Sequence, residues 1–290
     1  MLSLLAASSA VADPIYWSDL GMRPYLFEIG WFQLRFYSLA YLIGIIFAYW
    51  HLSKMLKAPG APMAQRHADD LFLYCTLGVI LGGRIGYSIF YNPYLWDNPV
   101  DVLKLWEGGM SFHGGVIGVL LAIAWVSRRG NLSFLRVCDY IAVNVPMGML
   151  LGRLANFVNG ELWGRQTDVP WGMVFPGGGE VVRHPSQLYQ AGLEGLLLLV
   201  VLLFLFWKTN ARYRPGLLVG VFTLGIGLAR FVNEFFREPD AQLADFAART
   251  GLSMGQWLTI PLILIGLIVT LYAVTRKPVG TGSVKNAATA

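Results

Sequence analysis

Charge is what this 290-residue sequence has least of: Asp, Glu, Lys and Arg together make 13% of it, while hydrophobic residues make 56%. A soluble domain carries roughly 25% charged and about 45–50% apolar residues, so this chain lacks the polar side chains to cover a water-facing surface. A mean hydropathy of +0.54 points the same way. Cysteine is nearly absent. Cys75 and Cys138 stand far apart in apolar runs without a C-x-x-C, which excludes a disulfide framework and a zinc site. The four histidines show no metal-ligand spacing, and nothing calls for a metal or another cofactor. No G-x-S-x-G string and no paired aspartates occur, which argues against intramembrane proteolysis. The net charge of +5 is not gathered into a basic stripe, so nucleic acid is not an expected partner. Internal repeats are missing too, which weakens a transporter built from duplicated halves.

What the sequence has in plenty is long hydrophobic runs. A spanning helix needs about 20 mainly apolar residues to cross roughly 30 Å of hydrocarbon. Seven stretches approach that length, at residues 32–50, 71–91, 112–126, 134–151, 188–207, 217–235 and 257–274. The expected fold is therefore an all-α polytopic membrane protein with seven transmembrane helices. Lys54, Lys57 and Arg66, then Arg128, Arg129 and Arg136, then Lys208, Arg212 and Arg214, then Arg276, Lys277 and Lys285 collect on alternating connections. Such loops mark the cytoplasmic side, which puts the amino terminus outside and the carboxyl terminus inside. Residues 1–30 read as an outer N-terminal extension and 31–277 as the membrane domain. Residues 278–290 read as a disordered cytoplasmic tail. The first 13 residues end like a cleavable signal but lack its positive n-region, so they read as an uncleaved, mobile extension. Residues 152–187 form one long outer connection, a small head in which 169–175 and 180–183 flank Pro176 and three glycines as a short β-hairpin.

Charges at the outer edge are the informative exception. Arg153, Arg165, Arg183, Arg230 and Arg237 lie there or within the membrane edge, where an ionised group costs a few kcal/mol at least. Arg153 and Asn156 share a helix face if the fourth span continues through them, and Gly160 and Gly164 let the chain turn close to a ligand. Arginine's planar fork matches phosphate oxygens, whereas a helix-end polar network is the structural alternative. Arg230, Glu234 and Arg237 line one face of the sixth span, as a ligand site or as an ion-pair ladder. His113 opens the third span among glycines and suits proton abstraction near neutrality, or serves structure alone. His184, Pro185 and Ser186 read as the start of the fifth span, and His51 and His67 as cytoplasmic surface residues. Tyr37, near the start of span one, is an interfacial aromatic or faces the polar cluster. On the residues alone, an enzyme acting on an anionic lipid competes with a lipid or anionic-solute carrier that uses the same arginines without chemistry.

The string GRLANFVNGELWG at 152–164 resembles the signature of the prolipoprotein diacylglyceryl transferase family. GGRIGYSIFYNP at 82–93, GGMSFHGGVIG at 108–118, RHPSQLY at 183–189, EFFREPDAQ at 234–242 and SMGQWLTIP at 253–261 support it. The resemblance runs in order over most of the chain. It implies seven spans, an outer amino terminus and an active site open to the periplasm beside a small periplasmic head, in the bacterial inner membrane. It also implies two substrates, phosphatidylglycerol and the lipobox cysteine of a prolipoprotein. Carried over by motif, Arg153 and Arg230 resemble the family's contacts to lipid phosphate, and His113 the histidine proposed as a base. Asn156, Glu161, Gly164 and Tyr37 match further important positions, with Glu234 and Arg237 beside them. Two positions depart from the pattern: Gln190 follows Tyr189 where many members have glutamate, and Ile226 stands where some have tyrosine.

Overall fold

The computed structural model describes residues 14–30, 32–105, 108–238 and 249–279. Each of the seven apolar stretches falls on a helix. These are α1 Phe36–Met55, α2 Gln65–Phe90, α3 Phe112–Arg129, α4 Phe134–Val158, α5 Ser186–Lys208, α6 Leu217–Asn233 and α7 Met254–Thr275. Helices α1, α2, α4, α5 and α7 are long and apolar enough to cross a membrane. Helix α6 is a shorter apolar helix of 17 residues, and α3 has 18 with two arginines in its last turn. Short strands accompany them: β1 Ile15–Tyr16, β2 Tyr25–Ile29, β3 Phe32–Arg35 and β4 Met173–Val174.

The ends of the elements differ from the sequence expectation for local reasons. Residues 32–35 belong not to the first span but to β3, which pairs antiparallel with β2. The fourth helix continues past residue 151 to Val158 and so carries Arg153 and Asn156. Helix α2 starts at Gln65, where His67 Nδ1 accepts the Ala64 N–H at 3.1 Å. The hairpin expected in the head is a single antiparallel bridge between Met173 and Arg183. Pro176 and the left-handed Gly177 and Gly179 interrupt its strands, and β4 pairs in parallel with β1 instead. Trp17 Nε1 then donates to Phe157 O at 2.8 Å, seating residues 15–20 on the end of α4. Residues 1–13 and 280–290, read above as extension and tail, lie outside the described residues.

Helices that follow one another in sequence run antiparallel. Gly78 and Gly82 of α2 face Gly118 and Gly114 of α3, Gly44 faces Gly148 across α1 and α4, and Gly195 faces Leu150 across α5 and α4. Gly220 and Gly227 of α6 face Thr270 and Ile263 of α7. Between lipid-facing helices there is no water to expel, so close backbone approach over small residues and polar ties hold the bundle. One set of polar ties sits at the end away from the candidate site. Asp139 accepts Gly216 N–H at 2.7 Å and Val219 N–H at 2.8 Å, capping α6 from α4. Trp207 Nε1 donates to His51 Nε2 at 3.1 Å, so the His51 Nδ1–H donates to Asn144 Oδ1 at 2.7 Å. His51 and His67 are therefore buried, 4% and 6% exposed, and not surface residues as the sequence suggested. Around them lies the apolar core, with Met55, Leu71, Tyr140, Leu202, Phe206 and Leu218. The antiparallel order leaves the other end to the starts of α1, α3, α5 and α7 and the ends of α2, α4 and α6. That end holds the candidate site.

Candidate active site

The site is built outward from the last turns of α4. Arg153 Nη1 donates to Asn156 Oδ1 at 3.2 Å, and Asn156 Nδ2 donates to Glu161 Oε1 at 2.8 Å. Asn159 Nδ2 reaches the same Glu161 oxygen at 3.1 Å, and Gln187 Nε2 donates to the Glu161 backbone carbonyl at 2.6 Å. The chain can reverse here because Gly160 takes φ +67°, and Leu162 follows at φ +58°, uncommon for a residue with a Cβ. Ser186 Oγ donates to Leu162 O at 3.0 Å; it clamps that turn and does not cap the fifth span. One carboxylate thus orients two asparagines, and one asparagine orients the arginine.

The end of α6 supplies a second ladder. Glu234, 7% exposed, accepts from Arg237 Nη1 at 3.3 Å and from Ser253 Oγ at 3.0 Å. Ser253 is also the N-cap of α7, where its hydroxyl accepts Gln256 N–H at 3.1 Å and Gln256 Oε1 accepts Ser253 N–H at 2.9 Å. Glu234 thereby ties α6 to α7 through a helix cap. Arg165 joins in, donating to Arg237 O at 2.8 Å. The head strand through Gly164 lies against this corner, with Gly164 N–H on His184 O at 2.8 Å. A Cβ at 164 would overlap Phe236 O and stand 2.8 Å from His184 Cβ. The protein's own backbone occupies the space that this glycine leaves, so it serves packing of head on helix, whereas the sequence offered it to a ligand. Burial lowers the affinity of His184 for a proton, although Asp168 pulls the other way.

The Arg230 side chain sits half-buried between the two ladders and makes no hydrogen bond or ion pair among the described residues; of the two uses the sequence left open, a phosphate or Glu234, the pair with Glu234 is not formed. Its companion was missed by the sequence reading. Glu194 lies in a π-helical turn of α5, Ala191–Leu197, is 0% exposed, and hydrogen-bonds through neither carboxylate oxygen. Arg153, Arg230, Arg237 and Glu234 are its charged neighbours. Gly195 lets this turn lie close on α4, since a Cβ there would stand 2.7 Å from Leu150 Cα, one turn before Arg153. The signal was available: an acid inside an apolar span is costly enough to ask for a role. Asn233, 1% exposed, also has both amide atoms unpartnered. Tyr37 packs its ring against Tyr41 in a tilted pair, centroids 5.2 Å apart, and has Glu161 and Arg153 as charged neighbours, which puts it at the cluster and not merely at the interface.

His113 is placed differently. It follows the N-cap Ser111, whose Oγ accepts Gly114 N–H at 3.2 Å, and it is exposed with its ring edge-on to Phe112 at 5.6 Å. Among the described residues no hydrogen bond or ion pair ties its imidazole to the arginine cluster. Residues 106 and 107, just before the glycine-rich string, and 239–242 of the EFFREPDAQ string lie outside the described residues. Groups of three or more His, Cys, Asp or Glu side chains able to hold a metal ion are absent among the described residues.

The sequence has named relatives. A family model for prolipoprotein diacylglyceryl transferase matches residues 24–272. A phosphatidylglycerol–prolipoprotein diacylglyceryl transferase of Erythrobacter litoralis is 69% identical over 275 residues, which is 94% of this chain and 97% of the relative. The proteins of that name from Zymomonas mobilis and Rhodospirillum rubrum are 48% identical over 272 residues and 49% over 259. They cover 91% and 88% of this chain, and 95% and 93% of their own lengths.

Proposed function

The chain belongs to the prolipoprotein diacylglyceryl transferase family, and from that premise we infer that it carries out the first step of lipoprotein maturation at the Arg153 cluster. It is a transferase that takes the diacylglyceryl group from phosphatidylglycerol and attaches it to the sulfur of a prolipoprotein's lipobox cysteine. The thiol sulfur bonds to the glyceryl carbon that bears the phosphate. The carbon–oxygen bond breaks, its electron pair stays on the phosphate, and glycerol 1-phosphate leaves. The thiol proton passes to a base, for which exposed His113 at the same end of the bundle, or a water relay, is the candidate.

The observation that carries the reading is a polar ladder running Arg153–Asn156–Glu161 beside an uncommitted Arg230, inside an otherwise apolar helix end. Charge grows on the phosphate as the bond breaks, and preorganised guanidinium groups stabilise that moment more than the bound ground state. Each such contact is worth about 2.7–4 kcal/mol by analogy with oxyanion donors. Asn156 and Glu161 hold Arg153, and Tyr37, Glu234 and Arg237 border the same pocket. A thiol of pKa near ~8.5 is only a few per cent thiolate at neutral pH, so a cationic pocket also helps generate the nucleophile.

In this reading all seven helices cross the bacterial inner membrane. The basic loops face the cytoplasm, and the head, the arginine cluster and the amino terminus face the periplasm. The test is direct. Purified protein mixed with phosphatidylglycerol and a lipobox-type cysteine peptide gives a sulfur-linked diacylglyceryl adduct by mass spectrometry. A folded protein that binds the lipid and forms no adduct would be a carrier instead.

A further inference from the structure

Glu194 is the feature the reaction as drawn does not use. A carboxylate with no exposure and no hydrogen-bond partner is costly to keep charged, and here only the field of nearby guanidinium groups compensates it. Helix α5 spends a π turn on presenting it, a distortion that tends to mark functional positions. Its charged neighbours are Arg153, Arg230 and Arg237 on one side of the ledger and Glu234 on the other. Three positive groups against Glu194 and Glu234 leave the pocket with one net positive charge. Glu161 is exposed, and water of high dielectric weakens its field at the pocket.

One net positive charge matches a phosphodiester, which is a monoanion. The reaction converts it into a phosphomonoester of about −1.5 to −2 at pH 7. A pocket with three uncompensated arginines would stabilise that product most of all and hold it. We propose that Glu194 sets the net charge of the phosphate pocket, so that the site takes up a phosphodiester monoanion and lets the phosphomonoester dianion go. This inference rests on the arginine cluster being the site of transfer. It makes Glu194 a positioning and charge-setting residue, acting through Arg153 and Arg230 without touching the reacting carbon.

The experiment measures inhibition of adduct formation by two soluble probes, glycerol phosphate and its methyl diester, with the full chain in phosphatidylglycerol-containing micelles. In the wild type the two probes inhibit within a few-fold of each other. In Glu194→Gln, glycerol phosphate inhibits at least about tenfold more strongly, a floor beneath the roughly thousandfold effect of one unit charge about 4 Å away through an effective dielectric near 20. Its turnover falls while KM for phosphatidylglycerol does not rise, and Glu194→Asp returns inhibition toward the wild-type level. Unchanged inhibition in an active Glu194→Gln protein overturns the role of Glu194 alone. If that variant does not fold, the wild type decides: tenfold tighter inhibition by the monoester than by the diester overturns the proposal. Absence of any adduct from folded wild type overturns the transfer reading beneath it, which is a separate result.

Discussion

Gly118→Ala should force α3 away from α2 and destabilise the bundle. A methyl group at 118 would overlap the Gly78 carbonyl oxygen and stand 2.7 Å from the Gly78 carbonyl carbon and 3.1 Å from its Cα. Those atoms are backbone, so no side-chain rotation can relieve them. The helices must part by about 1 Å or more, and the close approach of Gly82 and Gly86 to Gly114 is lost with it. Overpacking of this kind costs about 1–3 kcal/mol. Alanine in place of glycine inside a helix returns at most about 1 kcal/mol, so the net effect is a loss. Gly115→Ala is the control: its methyl group would lie 3.7 Å from Val79 O, an ordinary contact, and so should keep the helix gain. The assay is the thermal unfolding midpoint of both variants in one detergent, with transfer activity measured beside it. Because His113 opens α3, activity should fall with stability in Gly118→Ala. Equal midpoints for the two variants, or a rise in Gly118→Ala, would refute the packing argument.

Three further outcomes follow from the geometry. His113→Gln should slow transfer less than Arg153→Ala does, since the imidazole is exposed and untied whereas Arg153 is held by Asn156 at 3.2 Å; paired turnover measurements check the order. Replacing Cys75 and Cys138 together with alanine should leave transfer intact, because the acceptor thiol belongs to the substrate; lost activity in a folded protein would point to a covalent enzyme intermediate. His184 has its proton affinity lowered by burial, so the unfolded chain binds the proton more readily and stability falls as pH drops through and below the ordinary value of 6.5. Unfolding midpoints between pH 7 and 5 should show that loss in the wild type and less of it in His184→Gln.

Much of the fold was legible because lipid imposes a simple rule on sequence. A stretch of apolar residues must be a helix when no water can satisfy its backbone, and all seven stretches fall on helices. The ends were less legible, since they leave the apolar region and obey local chemistry. Nothing in the hydropathy of residues 32–35 distinguishes a strand from a first helical turn, and only pairing with Tyr25–Ile29 decides it. His51 looked superficial because it follows the first apolar run, but a partner from α4 and another from α5 bury it. Long-range pairs of that kind leave no local trace.

The candidate site was legible where its residues are neighbours in sequence. Arg153, Asn156 and Glu161 fall within one signature, and three- and five-residue steps suffice to link them. At the end of α6 the Glu234–Arg237 step of the ion-pair ladder was legible from its three-residue spacing, whereas the bond from Ser253 at the start of α7 leaves no local trace. Glu194 was visible as an acid inside an apolar span, but helical periodicity does not place it beside the arginines, because a π turn shifts the face a residue presents. Gly164 was assigned to a ligand for want of knowing that Phe236 and His184 fill the space beside it.

The central claim is that Arg153 and Arg230 stabilise the departing phosphate. It is tested most directly by single-turnover formation of the thioether adduct in Arg153→Ala and Arg230→Ala, each shown to be folded and saturated with phosphatidylglycerol. The account predicts a fall of about 10²–10³ in rate for either variant, the usual consequence of losing one preorganised donor to a developing oxyanion. A folded Arg153→Ala protein that forms the adduct at the wild-type rate would contradict it.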